Sequence, residues 1–223
     1  MPGTLVQFAS NGGKASGYLS LPKSGKGPGV LVIQEWWGLV QHIKSVADRF
    51  AAAGYVALAP DLYHGKAASE PDEARKLMME LQIGQAGTDM AGAVAYLRFH
   101  PAVTPKKVGC VGYCMGGGMT LYLASMGVID AAVPYYGVLT KASPDWNGVK
   151  CPVLGHYAEH DGATDALPPL KAALQKAGKQ AEFHIYPGTQ HAFFNDERPQ
   201  VYDAAAAKLS WERTLAFLGK YLK

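Results

Sequence analysis

The chain is short of the features that mark several large classes of protein. Only 17% of its residues are charged, and the net charge at pH 7 is +3 with no dense run of lysine or arginine. A nucleic-acid-binding face or a basic membrane-surface stripe is therefore not expected. Cysteine is scarce. Cys110, Cys114 and Cys151 leave one thiol unpaired in any scheme and show no zinc-ligand spacing, so neither a disulfide framework nor a metal is indicated. No apolar run approaches the ~20 residues of a membrane span. The start, Met1-Pro2-Gly3-Thr4, lacks the basic and apolar regions of a signal peptide. The cytoplasm, where a free thiol stays reduced, is the expected location.

What the chain does have is alternation. Short β-rich runs and helical patterns succeed one another along 223 residues, 48% of them hydrophobic. That is the pattern of an α/β fold: a mostly parallel sheet of seven or eight strands with helices on both faces. Strands are predicted at 5–9, 15–21, 29–34, 55–59, 107–113, 131–136, 153–158 and 182–186. Helices are predicted over 46–53, 72–82, 88–99, 167–176 and 202–222, with another after residue 114. With no repeat, linker or low-complexity tract, residues 1–223 read as a single domain.

The most informative stretch is Gly112-Tyr113-Cys114-Met115-Gly116, which follows the apolar run Val108-Gly109-Cys110-Val111. It has the strand-turn-helix form of the nucleophile elbow, G-x-S-x-G, with cysteine where serine usually stands. The flanking glycines let the backbone bend sharply, so that the side chain points out of the sheet. The turn also aims the Met115 N–H, at a helix start, where an oxyanion would form.

In open α/β sheets chemistry gathers beyond the carboxyl ends of the strands. The predicted strand 153–158 runs into Glu159-His160-Asp161, and the strand 182–186 runs through 187–190 to His191. Nucleophile, acid and histidine thus stand in the chain order of the α/β-hydrolases. His191 can take the thiol proton and return it to a leaving group, and Asp161 can hold the imidazole tautomer. Asp165 competes for the place of the acid, and an aspartate after a strand can equally be a helix N-cap. His156 and His184 fall within strand patterns, His42 and His100 near helix ends, and His160 abuts Asp161. Cys110 alternates within a buried strand and Cys151 precedes a proline at a strand start, the places of structural thiols.

The strand 29–34 ends in Gln34-Glu35-Trp36-Trp37-Gly38, where α/β-hydrolases supply the second oxyanion-hole N–H. With this segment, Pro60-Asp61-Leu62-Tyr63, Gly112-Tyr113-Cys114-Met115-Gly116-Gly117, Glu159-His160-Asp161 and His191-Ala192-Phe193, the chain resembles the dienelactone hydrolase family over nearly its whole length. The resemblance implies an α/β-hydrolase fold and cleavage of a lactone or carboxylic ester by a Cys114–His191–Asp161 triad through a thioester. It further implies that Glu35 helps to form the thiolate and that the Trp36 and Met115 N–H groups bind the oxyanion. No cofactor is implied.

Family members that act on dienelactone hold its carboxylate with arginines, one of them four residues beyond the histidine. Asn195 stands there in this chain, and Arg75 is the arginine nearest to a second such position. Trp37, Tyr63, Tyr135, Tyr136 and Phe193 are read as an aromatic substrate pocket, with Arg75 and Asn195 beside it. The expected partner is a small lactone or ester bound to a monomer, with no nucleic acid and no membrane. A general esterase or thioesterase for a bulky or aromatic acyl group stays open, as does a non-catalytic binder or thiol sensor. A metal hydrolase built on His156, His160 and Asp161 is the remotest reading. Segments 65–71 and 140–150 are candidate loops over the site.

Overall fold

Burial along the strands dictates the layering. β3 (Gly27–Ile33), β4 (Val56–Pro60) and β6 (Ala131–Tyr135) are buried at every position, so they must be covered on both faces. β1 (Thr4–Ser10) is mostly exposed and can lie only at an edge. In the computed structural model, which describes residues 2–139 and 142–223, these strands join β2 (Gly13–Ser20), β5 (Val103–Tyr113), β7 (Val153–His160) and β8 (Ala181–Gln190) in one sheet. The order is β1-β2-β4-β3-β5-β6-β7-β8. β1–β2 and β2–β4 pair antiparallel, and every other pairing is parallel.

The period-two alternation of β3 assigns its side chains to two cores. Leu31 and Ile33 face one side, with Met90, Val94 and Leu97 of α3 (Ile83–Phe99) and Met119 of α4 (Met115–Ser125). Val30 and Val32 face the other, with Val46 and Phe50 of α1 (Gln41–Ala52) and Leu218 and Leu222 of α7 (Ala204–Leu222). The remaining helices are α2 (Pro71–Glu80), α5 (Gly162–Asp165) and α6 (Leu167–Lys176). Among the described residues, no helix is long and apolar enough to cross a membrane.

All eight predicted strands are present, several longer than their apolar runs. β7 and β8 continue through exposed polar ends, which a hydrophobic pattern does not mark. α3 begins at Ile83 rather than 88 because glycines dilute its first turns. Gly87 has a packing reason: a Cβ there would lie 2.5 Å from the Tyr122 ring of α4.

β3 pairs with β4 on one side and β5 on the other, so chain connections depart in opposite directions from the β3–β5 boundary. This is a topological switch point, where α/β sheets open a crevice at their carboxyl ends. Glu35 follows β3 and Cys114 follows β5, which puts both at that crevice.

The core also holds a polar network. His156 Nδ1 meets the Tyr186 hydroxyl at 2.8 Å, and His156 Nε2 meets the Thr214 hydroxyl at 3.0 Å. Burial pushes His156 well below the usual histidine range, helped by the positive charges of His184 and Arg213. Burial likewise lowers His42 to about 4, although the nearby Asp196 opposes this. Both imidazoles are neutral in the native state and titrate near 6.5 once unfolded. Their contribution to stability is present above pH 6.5 and is lost as pH falls toward their folded values. Tm is expected to drop between pH 6.5 and 4.5. A Tm flat across that range in a calorimetric pH series would contradict this.

Candidate active site

The glycines of the elbow are required by contact. A Cβ on Gly112 would overlap the Gly116 carbonyl, and one on Gly116 would lie 2.5 Å from the Ile33 and Gln34 carbonyl oxygens. The first turn of α4 is thereby held close against the ends of β3 and β5. Cys114 occupies the turn with φ +56, a left-handed conformation that a side-chain-bearing residue adopts at some expense. Its thiol is partly exposed. Met115 is the first residue of α4, so its N–H has no carbonyl one turn earlier to receive it.

Two more left-handed residues stand beside this one: Tyr136 (φ +36) after β6 and Ala192 (φ +69) after His191. Strained backbone concentrated at one end of the sheet is a common property of functional sites. His191 lies just beyond β8, its ring 5.0 Å from that of Tyr136. Its Nδ1 is 2.7 Å from Asp161 Oδ2. Asp161 Oδ1 meanwhile accepts the Ala163 N–H at 2.9 Å, so the carboxylate caps α5 and holds the imidazole at once. Asp165, the competing acid, is exposed at the end of α5. With Nδ1 engaged, Nε2 is the nitrogen free for Cys114. Burial lowers the His191 imidazole, but hydrogen bonds with Asp161 and Cys114 and the charges of both outweigh it and raise it to about 10.

Glu35 is 2% exposed. Its Oε2 accepts a hydrogen bond from Asn195 Nδ2 at 2.8 Å. Burial raises the carboxyl above the usual range, against the opposing pull of Asn195, His191 and Arg198. Asn195 Oδ1 in turn accepts the Glu197 N–H at 3.1 Å, fixing the amide in the loop that carries His191. The turn after β4 has an equally local cause: Asp61 accepts the Tyr63 N–H at 3.1 Å and the Gly65 N–H at 2.6 Å. Gln34 Oε1 accepts the Leu62 N–H at 3.1 Å and joins that turn to the end of β3. The 65–71 segment is fastened there too, by the Ala68 N–H to the Trp37 carbonyl at 2.9 Å. Of the other candidate loop, Thr140 and Lys141 lie outside the described residues.

Cys114, Asp161 and His191 border one cavity of about 260 Å³. Its walls are otherwise apolar, with Met78, Leu81 and Ile83 on one side and Met119, Val138 and Leu139 on the other. Met115 and Tyr136 also line it, and the Tyr63 hydroxyl reaches Met115 Sδ at 3.3 Å from outside. The other aromatic expectations need correction. Tyr135 and Phe193 are fully buried in the core on the α1–α7 side, Tyr135 with its hydroxyl on Thr214. Arg75 is exposed on α2, 3.3 Å from Asp72, and does not border the cavity. Trp36 and Trp37 pack edge to face at 5.1 Å, and the Arg198 guanidinium covers Trp37 at 5.9 Å. Asn195 points at Glu35 rather than into the cavity. The apolar wall residues carried no signal of their own in the sequence, because a cavity methionine or leucine reads like a core one.

His156 lies in the core network and His160 pairs with Glu159 at the surface, so neither converges with Asp161. Among the described residues no cluster of three or more His, Cys, Asp or Glu side chains could hold a metal ion.

An eight-stranded, mostly parallel sheet with an elbow after its central strand and an acid and a histidine at later strand ends defines an α/β-hydrolase fold. Within that class the chain belongs to the dienelactone hydrolase family, whose model matches residues 15–222, and it is a hydrolase acting on esters or lactones. It is 39% identical to "Protein usf" of Aquifex pyrophilus, over 99% of both chains. It is 35% identical to a protein of Aquifex aeolicus named "Putative carboxymethylenebutenolidase", over 99% of this chain and 100% of that one. Among solved structures it is similar to one described as a "Putative Dienelactone Hydrolase" from Klebsiella pneumoniae, with TM-score 0.86, 29% identity and 98% and 99% of the two chains covered.

Proposed function

We propose that the chain, acting as one catalytic unit, hydrolyses a neutral lactone or carboxylic ester through a cysteine nucleophile. The observation that carries this reading is the 2.7 Å Asp161–His191 contact beside an elbow cysteine that opens into an apolar cavity. The Cys114 sulfur gives up its proton and attacks the carbonyl carbon. The tetrahedral oxyanion is received by the Trp36 and Met115 N–H groups. When it collapses, the C–O bond to the alcohol breaks and His191, as imidazolium, returns a proton to that oxygen. Water, with His191 as base, then attacks the thioester, releasing the acid and restoring the thiol.

Glu35 is the first acceptor of the thiol proton in this scheme. Its buried carboxyl, held by one neutral amide, is a stronger base than an exposed glutamate. The location that suits three free thiols is a reducing cytoplasm.

Neutrality of the substrate follows from the lining. Among the described residues that border the cavity, Asp161 is the one carboxylate and is paired with His191, whose raised imidazole is the one cationic group, and none is lysine or arginine. A substrate carboxylate would meet no guanidinium there, and an amide does not replace a bidentate clamp. Turnover of dienelactone, an anion, is expected to be at least about tenfold less efficient than that of p-nitrophenyl acetate. Both activities are expected to vanish in Cys114→Ala. Preference for the anion would contradict the substrate class, and activity retained in the variant would contradict the nucleophile.

A further inference from the structure

The apolar wall of the catalytic cavity does not end at Val138 and Leu139. The same two residues border a second cavity of about 480 Å³, which lies between α4 and α6 and is also lined by Leu121, Trp146 and Leu170. α5 borders both, with Ala163 facing the first cavity and Gly162 the second. No charged side chain is found among the described residues lining the second cavity, and Pro169 and Ala173 of α6 keep its far wall short-chained and apolar.

We infer that this second cavity is a distal subsite of the active site and receives the extended apolar limb of a neutral ester whose carbonyl sits at Cys114. The inference rests on the cysteine-hydrolase reading above and names its substrate class. Two observations support it. At about 260 Å³ the catalytic cavity lies just below the ~300–1,000 Å³ usual for small-molecule sites, so a substrate larger than a short-chain ester has reason to reach beyond it. The space beyond Val138 and Leu139 is lined mainly by apolar residues, with Ser143 the one hydroxyl among the described ones, whereas the depression beyond Leu81 carries His64, Lys66 and Glu80. An alkyl or aryl limb gains by entering the former and meets charge in the latter.

The test uses two ester series at the full-length protein: p-nitrophenyl acetate through octanoate, which lengthens the acyl limb, and phenyl-acetate analogues with lengthening para-alkyl chains, which extends the alcohol limb. In one series kcat/KM is expected to rise about threefold to fourfold per methylene until the cavity is filled. The series that rises identifies the limb. Leu170→Glu, which places a charge in the subsite, and Ala173→Phe, which fills it, are each expected to lower the long-to-short kcat/KM ratio at least tenfold. Cys114-dependent turnover with no chain-length dependence in either series, or a ratio unmoved by both variants, would overturn the subsite alone. Turnover that survives Cys114→Ala would overturn the cysteine-nucleophile reading beneath it.

Discussion

Asp161→Asn is expected to lower kcat by about ten thousandfold while leaving the fold intact. The substitution separates two roles of one carboxylate. Asp161 Oδ1 caps α5 at the Ala163 N–H, and asparagine is as good an N-cap as aspartate. Oδ2 holds His191 Nδ1 at 2.7 Å, and there an amide removes the charge that stabilises the imidazolium and lets the imidazole take the wrong tautomer. The contacts and charges of Asp161 and Cys114 hold the His191 imidazole up at about 10. A folded value raised in this way stabilises the native state fully below pH 6.5, and the contribution is lost as pH rises through about 10. In the variant the value falls and that alkaline contribution shrinks. Asp165→Asn, at an exposed position on α5, is the control and is expected to keep wild-type kcat. Steady-state kinetics and thermal melts of the two variants check this, and a loss shared equally between them would assign the acid wrongly.

Glu35→Gln is expected to lower the rate of acylation by at least about a hundredfold, within the range for loss of one acid–base group. Glutamine keeps the shape, and its amide oxygen can still accept from Asn195 Nδ2, but it cannot take the thiol proton. Because Glu35 is 2% exposed and burial raises its carboxyl, the substitution also relieves a desolvated charge. Tm should therefore hold or rise while activity falls, a divergence that a merely structural residue would not produce. In the wild type, activity that needs ionised Glu35 should fail in acid at a higher pH than an ordinary carboxylate would impose. A stopped-flow burst of unchanged rate in Glu35→Gln would show that another group takes the proton.

The sheet was legible in the sequence because its strands are apolar and separated by turn residues; all eight were placed by that pattern. What the pattern missed is where apolarity and structure part company. The polar ends of β7 and β8 and the glycine-diluted start of α3 are examples. The positions of Cys114, Asp161, His191 and Glu35 were readable because each polar residue lies a few positions past an apolar strand run. The aromatic pocket was not. Tyr135 and Tyr136 are adjacent and both are buried in the same core, yet of the two Tyr136 alone borders the cavity, since the left-handed turn at Tyr136 ends the strand's alternation. The sequence pattern sets Asn195 beside the substrate pocket; its partner, 160 positions earlier in the chain, is visible only once the fold brings Glu35 to it.

The most direct test of the account is intact-mass spectrometry of the protein quenched early in the turnover of p-nitrophenyl acetate. One acetyl group per chain, mapped by peptide analysis to Cys114 and absent from Cys114→Ala, is the expected result. An adduct on another residue, or turnover that continues in Cys114→Ala, would contradict a cysteine-nucleophile hydrolase.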